Sequence, residues 1–258
     1  MMQEIKVLDY GYVRLIESWG SDERIIEAAR MSTQKGFEGW GPKCPCSGDA
    51  IKPVRVDLDG VSCGRCGEKL LAGDEKLLAY LWKNNHATPF EMAGVIIEVQ
   101  APIMVFREWH RHRTQSYNEM SARYAPLPDL NYIPTVDRLL LNSKRNKQAG
   151  VIAGADELTE SVAAELMAEE RAFNEAAERF YQKKLKAGVP KELARTHLGV
   201  SRISRMRASA NLRNWFGFLT LRAAPNAQWE IQEYARAVQS IIDGLFPRTL
   251  SLFKEGQK

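Results

Sequence analysis

The spacing of apolar and polar residues along this chain predicts a mixed α and β protein. Ile5–Leu8 and Tyr12–Ile16 read as short strands around Gly11. Asp22–Met31 predicts a helix with Ser21 as N-cap, because a serine ahead of such a run can accept an unpaired backbone N–H of the first turn. Asp74–Asn84 predicts a second helix, with Leu77, Leu78, Tyr80, Leu81 and Trp82 as its apolar positions. Val95–Val99 is rich in β-branched residues and predicts a strand that ends at Gln100. Pro102 suits the first turn of a helix running from Ile103 to about Arg113. Ile103 and Phe106 would share its apolar side, and Arg107 and Arg111, four apart, would share a face. Thr114–Ser121 then reads as a loop.

Further along, Glu157–Ala187 predicts a long charged amphipathic helix with Leu158, Val162, Leu166 and Phe173 among its apolar positions. Gly188-Val189-Pro190 breaks it, and a short helix Lys191–Leu198 follows. Val200–Ala210 is ambiguous, although its alternation of Ser and Arg permits a strand. Asn211–Leu221 and Ala227–Leu245 read as two more helices, and Asn142–Gly154 as an exposed loop.

Hydrophobic content of 45% and charged content of 26% are those of an ordinary globular protein with a real core. No apolar stretch approaches the ~20 residues of a membrane span, and Met1–Lys6 lacks a signal-peptide apolar region, so a cytoplasmic location is expected. The net charge of +4 argues only weakly for nucleic acid. Its distribution says more. Leu193–Trp229 contains no Asp, Glu or Lys, yet holds Arg195, Arg202, Arg205, Arg207, Arg213 and Arg222. Arginine used alone suggests planar recognition of phosphate or a base edge. The alternative is a set of structural arginines paired with carboxylates elsewhere.

All four cysteines lie close together, as Cys44-Pro45-Cys46 and Cys63-Gly64-Arg65-Cys66. Two close pairs at this separation resemble a small zinc knuckle, and the Gly- and Pro-rich surroundings offer little core of their own. Free or redox-labile thiols and a catalytic role are the other readings.

The most informative segment is Arg111–Tyr124, which reads RHRTQSYNEMSARY. It sets three Arg, a His, two Ser, an Asn and a Glu beside the apolar run Ala101–Phe106. Burying such polarity without partners costs roughly 2–7 kcal/mol per group, so the segment is either a solvated basic face or the lining of an anion pocket. His112 stands between two arginines, which disfavours its protonation and suits a neutral ring that hydrogen-bonds a ligand. Ser121 is a candidate nucleophile. With no obvious base nearby and Arg123 two residues on, it fits an anion-contacting hydroxyl better. No Walker loop and no GxGxxG fingerprint is present, so a flavin would need a non-Rossmann site.

Arg-His-Arg, seven residues, then Ser is the signature of the flavin-dependent thymidylate synthases (ThyX), matched here by Arg111-His112-Arg113 and Ser121. Ser121-Ala122-Arg123-Tyr124, His86–Glu91 (HATPFE), Leu221-Arg222-Ala223 and Ala227–Ile231 (AQWEI) resemble further blocks of that family, as do Ala29–Ser32 and Gly188–Arg195. The resemblance spans nearly the whole chain except about residues 34–72, which contain the cysteines. It implies an α+β fold, an antiparallel sheet with helices, as a single catalytic domain over residues 1–258 with a Cys-rich insert at 34–72.

The resemblance further implies reductive methylation of dUMP to dTMP, with methylenetetrahydrofolate as carbon donor, NADPH as reductant and FAD as cofactor. It implies a homotetramer with shared sites. Ser32, His86, Thr88, Arg111, His112, Arg113, Asn211 and Arg213 would contact FAD. Arg111, Glu119, Ser121, Ala122, Arg123 and Arg195 would hold the nucleotide, the serine group near its phosphate. Arg222 would pair with the uracil edge and stabilise charge as C5 becomes nucleophilic, so Arg222 and Ser121 are the catalytic candidates. If the insert binds zinc, Cys44, Cys46, Cys63 and Cys66 are its ligands.

Four positions depart from the family pattern. Glu108 replaces Gln, Asn226 and Met92 each replace His, and Gly217 replaces Asn. A carboxylate at 108 could accept a hydrogen bond from an amino group, which suggests a related enzyme acting on another pyrimidine nucleotide or installing hydroxymethyl. An alternative from a different class is a zinc-containing nucleic-acid-binding protein with an Arg-rich surface.

Overall fold

The computed structural model describes residues 4–41, 55–57, 60–62, 66, 68, 73–141, 151 and 157–256. The elements in chain order are β1 (Glu4–Val7), β2 (Gly11–Trp19), α1 (Asp22–Arg30), β3 (Arg55–Asp57), β4 (Gly60–Ser62), α2 (Asp74–Lys83), α3 (Ala87–Glu91), β5 (Gly94–Pro102), α4 (Ile103–Trp109), β6 (Ser116–Glu119), α5 (Val136–Leu140), α6 (Glu160–Lys186), α7 (Lys191–Ala194), β7 (Ile203–Asn211), α8 (Leu212–Arg222), α9 (Trp229–Leu245) and α10 (Pro247–Glu255). An antiparallel sheet runs in the order β1-β2-β5-β7-β6, and β3 pairs with β4 in a small hairpin. The α+β expectation is met.

The chain divides into two compact units. The first comprises Met1–Ile16, Ile97–Ala208 and Leu221–Val238, and the second Glu17–Ile96, Ser209–Thr220 and Gln239–Lys258. In the first, β1 pairs with β2 in the register Glu4↔Arg14 to Val7↔Gly11. Gly11 is required by close approach, because a Cβ there would fall on the Tyr234 hydroxyl and the Val7 carbonyl. Along β7, Ile203, Met206 and Ala208 are buried while Arg205 and Arg207 face outward, so the Ser/Arg alternation is that of a strand with one wet face. β6 replaces the expected loop. It is a polar edge strand, joined to the sheet through backbone bonds such as Met120 N–H to the Arg205 carbonyl (2.7 Å), and carries no hydrophobic alternation to announce it.

α4 stops at Trp109, short of the expected Arg113. The buried indole Nε1–H of Trp109 donates to Gln115 Oε1 (3.1 Å), tying down a turn that carries Arg111–Thr114 off the helix axis. α6 is capped by the Thr159 hydroxyl and ends at Gly188, which takes a φ of 80°. Its buried face is Ala163, Asn174, Glu178 and Tyr181, whereas Val162, Leu166, Phe173 and Phe180 are exposed. The apolar positions read from the sequence therefore lie outside this unit's core.

In the second unit, Ser21 caps α1 through its hydroxyl, as expected. α10 begins with Pro247 and has no side-chain cap from its own N-terminus. Buried Asp22 of α1 supplies one, accepting from Arg248 N (2.9 Å), Thr249 N (3.2 Å) and Thr249 Oγ1. Trp82, Phe90, Phe216 and Phe253 form an aromatic cluster, with Phe216 and Phe253 stacked at 4.8 Å. Three of the four expected zinc ligands, Cys44, Cys46 and Cys63, and nearly all of the expected loop 142–154 lie outside the described residues, and Cys66 is exposed.

Candidate active site

Within the first unit, the motif segment meets Arg222. The Arg222 guanidinium is gripped on three sides. Its Nη1 donates to Glu108 Oε2 (2.6 Å), its Nη2 to the Glu108 carbonyl (2.9 Å), and its Nε to His112 Nε2 (2.9 Å). A guanidinium carries five N–H donors. Three are engaged in these bonds, which leaves two, one on each terminal nitrogen.

His112 is held neutral, its pKa lowered to about 4 by burial and by the neighbouring Arg222 charge. The neutral ring was expected, but its cause is burial and an arginine 110 positions away in sequence, rather than Arg111 and Arg113. Because Nε2 accepts a hydrogen bond from Arg222 Nε–H, the neutral ring carries its hydrogen on Nδ1. Arg111 and Arg113 are both exposed beside it.

A cavity of about 330 Å³ opens in the same unit, lined by Ile103, Phe106, Arg107, His110, Glu119, Met120, Ser121 and Arg195. It brings together Glu119, Ser121 and Arg195, three residues that the resemblance would put on the nucleotide. Glu119 Oε1 accepts from the Ser204 hydroxyl (2.9 Å), and Ser121 Oγ accepts from Arg123 N (3.3 Å). The Arg123 side chain is not among the lining residues; it pairs with Glu192 on α7 (3.2 Å). Ala122 is buried and offers no side-chain polarity.

The second unit holds the other candidates. His86 and Arg213 line a cavity of about 180 Å³ with Leu81, Trp82, Asn85, Ala87, Phe90 and Phe216. Arg213 pairs with Glu91, and the His86 ring meets the edge of Tyr80 at 5.6 Å. An aromatic wall with an imidazole and a guanidinium at its rim fits one end of a dinucleotide cofactor, where a flat ring stacks and a phosphate is neutralised. Thr88 is exposed on α3, and Ser32 is exposed in a 3-10 turn, donating to the Ala29 carbonyl. Asn211 Oδ1 accepts from Asn214 N (2.9 Å) and so caps α8. At Gly217 a Cβ would meet nothing within 4 Å.

The acid-free arginine stretch proves to be divided in purpose. Arg202 is buried and pairs with Glu178 (2.7 Å) and Asp129 (3.2 Å), and Arg207 pairs with Glu98 (3.5 Å). The carboxylates are simply distant in sequence. Trp109, Trp215 and Phe218 are core residues, and Phe216 is a buried residue that also lines the second-unit cavity. The residues that sequence reasoning passed over are Arg107 and His110. The spacing 103, 106, 107, 110 is one helical stripe, and that signal was available. Among the described residues no group of His, Cys, Asp or Glu is arranged to hold a metal ion, and no helix is long and apolar enough to cross a membrane.

The family model for thymidylate synthase complementing protein matches residues 14–248. A flavin-dependent thymidylate synthase of Thermus thermophilus is 37% identical over 251 residues, covering 97% of this chain and 78% of the relative. One from Thermosipho africanus is 34% identical over 250 residues, covering 97% and 93%. Among solved structures, a UMP/dUMP methylase, PolB from Streptomyces cacaoi bound with 5-Br UMP, superposes with a TM-score of 0.72 at 27% identity over 97% of each chain. The Arg-His-Arg…Ser segment and the match over residues 14–248 thus have one explanation: the chain belongs to the thymidylate synthase complementing protein family, the flavin-dependent thymidylate synthases.

Proposed function

We propose that this protein is a flavin-dependent thymidylate synthase that converts dUMP to dTMP with methylenetetrahydrofolate, NADPH and FAD. The observation that supports it most is Arg222, held by Glu108 and His112 with two donors to spare. The two N–H groups left, one on each terminal nitrogen, suit the carbonyl edge of a uracil ring. They strengthen as that edge gains negative charge, which is when C5 becomes nucleophilic toward the one-carbon unit. His112 keeps the guanidinium in plane by accepting from Nε, and can do so only while unprotonated. The second-unit cavity would receive one end of FAD against His86, Arg213 and the aromatic wall. When bound, the reduced flavin supplies the hydride that completes the methyl group. Arg111, Arg113, Ser32, Thr88 and Asn211 are proposed as further cofactor contacts. Glu119, Ser121, Ala122, Arg123 and Arg195 are proposed to hold the nucleotide, and Arg123 would exchange Glu192 for phosphate.

Product mass from dUMP, methylenetetrahydrofolate and NADPH with FAD-loaded protein tests this reading; absence of a dTMP-mass product sinks it. A second reading is favoured by the PolB neighbour, described as a UMP/dUMP methylase, and by Glu108 beside Arg222. On that reading UMP or another pyrimidine nucleotide is a substrate, and parallel assays with UMP, dUMP and dCMP separate the two.

The exposed stripe of Val162, Leu166, Phe173 and Phe180 supports assembly into the proposed homotetramer, since contiguous apolar surface marks interaction sites. Light scattering on the eluted protein gives its mass, and Phe173→Glu is expected to reduce it. The cysteine insert is proposed to hold one structural zinc on Cys44, Cys46, Cys63 and Cys66. Elemental analysis that finds no retained zinc overturns that assignment.

A further inference from the structure

We propose that His110, with Arg107 beside it, is a substrate-binding residue that grips the phosphate of the nucleotide. The inference rests on the nucleotide reading above and adds to it a contact that the Arg-His-Arg signature does not contain.

Ile103, Phe106, Arg107 and His110 fall at i, i+3, i+4 and i+7 and present one face of α4 and its last turn to a single cavity of about 330 Å³. Across that cavity stand Ser121 and Arg195. The His110 ring is built in. It stacks on Phe106 at 6.2 Å and 28°, and Tyr117 packs its ring against it at 4.9 Å and 65°. Tyr117 is itself anchored, its one O–H donating to the His112 carbonyl (2.7 Å) with the Trp109 carbonyl also in reach (3.1 Å). The His110 backbone N–H closes α4 by bonding to the Phe106 carbonyl (2.9 Å). The ring is thus fixed by packing, and among the described residues no hydrogen-bond partner reaches its nitrogens.

The cavity's charges favour an anion. Arg107 and Arg195 bring two positive charges against the one carboxylate of Glu119, which is already accepting from Ser204. A phosphate monoester offers three acceptor oxygens, enough for a guanidinium, the Ser121 hydroxyl and an imidazole N–H together. A metal is a poorer fit, since His110 and Glu119 are the lining's only ligating side chains of the usual kinds and no metal-holding group is found among the described residues.

The test uses FAD-loaded protein and three probes: inorganic phosphate, dUMP and deoxyuridine. His110→Phe keeps the ring stack and removes both nitrogens, and His110→Asn returns one donor. The ring resonances that vanish in His110→Phe identify His110 in the wild type. Phosphate and dUMP are expected to move them, and His110→Phe to weaken dUMP about tenfold, the worth of one charge-assisted hydrogen bond at a half-exposed site. Deoxyuridine affinity should be unchanged, and His110→Asn should recover part of the loss. An equal loss for dUMP and deoxyuridine, or ring resonances that neither anion moves, overturns the assignment. If phosphate moves them but the wild type does not bind dUMP, His110 stands as an anion ligand and the dUMP reading falls. If dUMP binds the wild type and His110→Phe equally, the reverse holds.

Discussion

Arg222 shows how far the role of a residue depends on its neighbours. A lone arginine at a uracil edge would swing on its flexible stem; here Glu108 and His112 remove that freedom beforehand. Arg222→Ala is expected to cost about 10²–10³-fold in turnover with flavin still retained on the protein, since it removes a donor needed only as charge develops. Full activity in that variant would refute the uracil-edge role. Glu108→Gln should keep the grip on Nη1 while removing a negative charge beside an anionic ligand. We expect dUMP to bind several-fold tighter in it, read as a lower Kd, and a weaker Kd would show that the carboxylate itself contacts the base.

His112 makes a pH prediction. Its folded pKa of about 4 lies below the ordinary ~6.5 of histidine, so the unfolded chain binds the proton more readily. The stability this neutral ring contributes is present above about pH 6.5 and is lost as pH falls toward 4. Urea melts at pH 7 and pH 5 should differ more for the wild type than for His112→Gln. A parallel pH response in the two would remove His112 from the account.

Helix ends carry the clearest lessons among the elements. Asn211 caps α8 with its side-chain amide oxygen, and Asn211→Ala should cost about 1 kcal/mol of stability. Asn211→Asp keeps the cap. If it retains stability but loses flavin, the side chain also serves the cofactor, and if it retains both, capping is its whole role. Asp22 caps a helix from a distance, satisfying two backbone N–H groups and the Thr249 hydroxyl of α10. Asp22→Ala strands buried donors at roughly 1–3 kcal/mol each, and thermal melting should show a correspondingly large drop. The Ser21 cap and the start of α1 were legible because capping is local. α3 and α5, five residues each, were not read because so short a run shows less than two turns of periodicity. β6 was missed for another reason: an edge strand paired through its backbone needs no apolar face.

Across the molecule, Arg202 follows the structural alternative, pairing with carboxylates distant in sequence. It lies 1% exposed, between Glu178 and Asp129, with a further bond to the Leu127 carbonyl (3.2 Å). Arg202→Ala leaves Glu178 with no cation in the core and should cost about 3–5 kcal/mol in chemical denaturation. A loss within error of zero would mean that water reaches that carboxylate. Periodicity, caps and the Arg-His-Arg…Ser segment were enough to establish the mixed architecture and the family. These are properties of neighbours in sequence, where spacing maps directly onto one face or one turn. Which arginines meet carboxylates in the core and which face a cavity was decided only in three dimensions. Glu108 and His112 reach Arg222, Glu178 reaches Arg202, and His110 comes to face Ser121 and Arg195 only once helices and strands pack. A side chain's charge is written in the sequence, but its partner, and with it the choice between binding and structure, is set by what folding brings within about 3 Å.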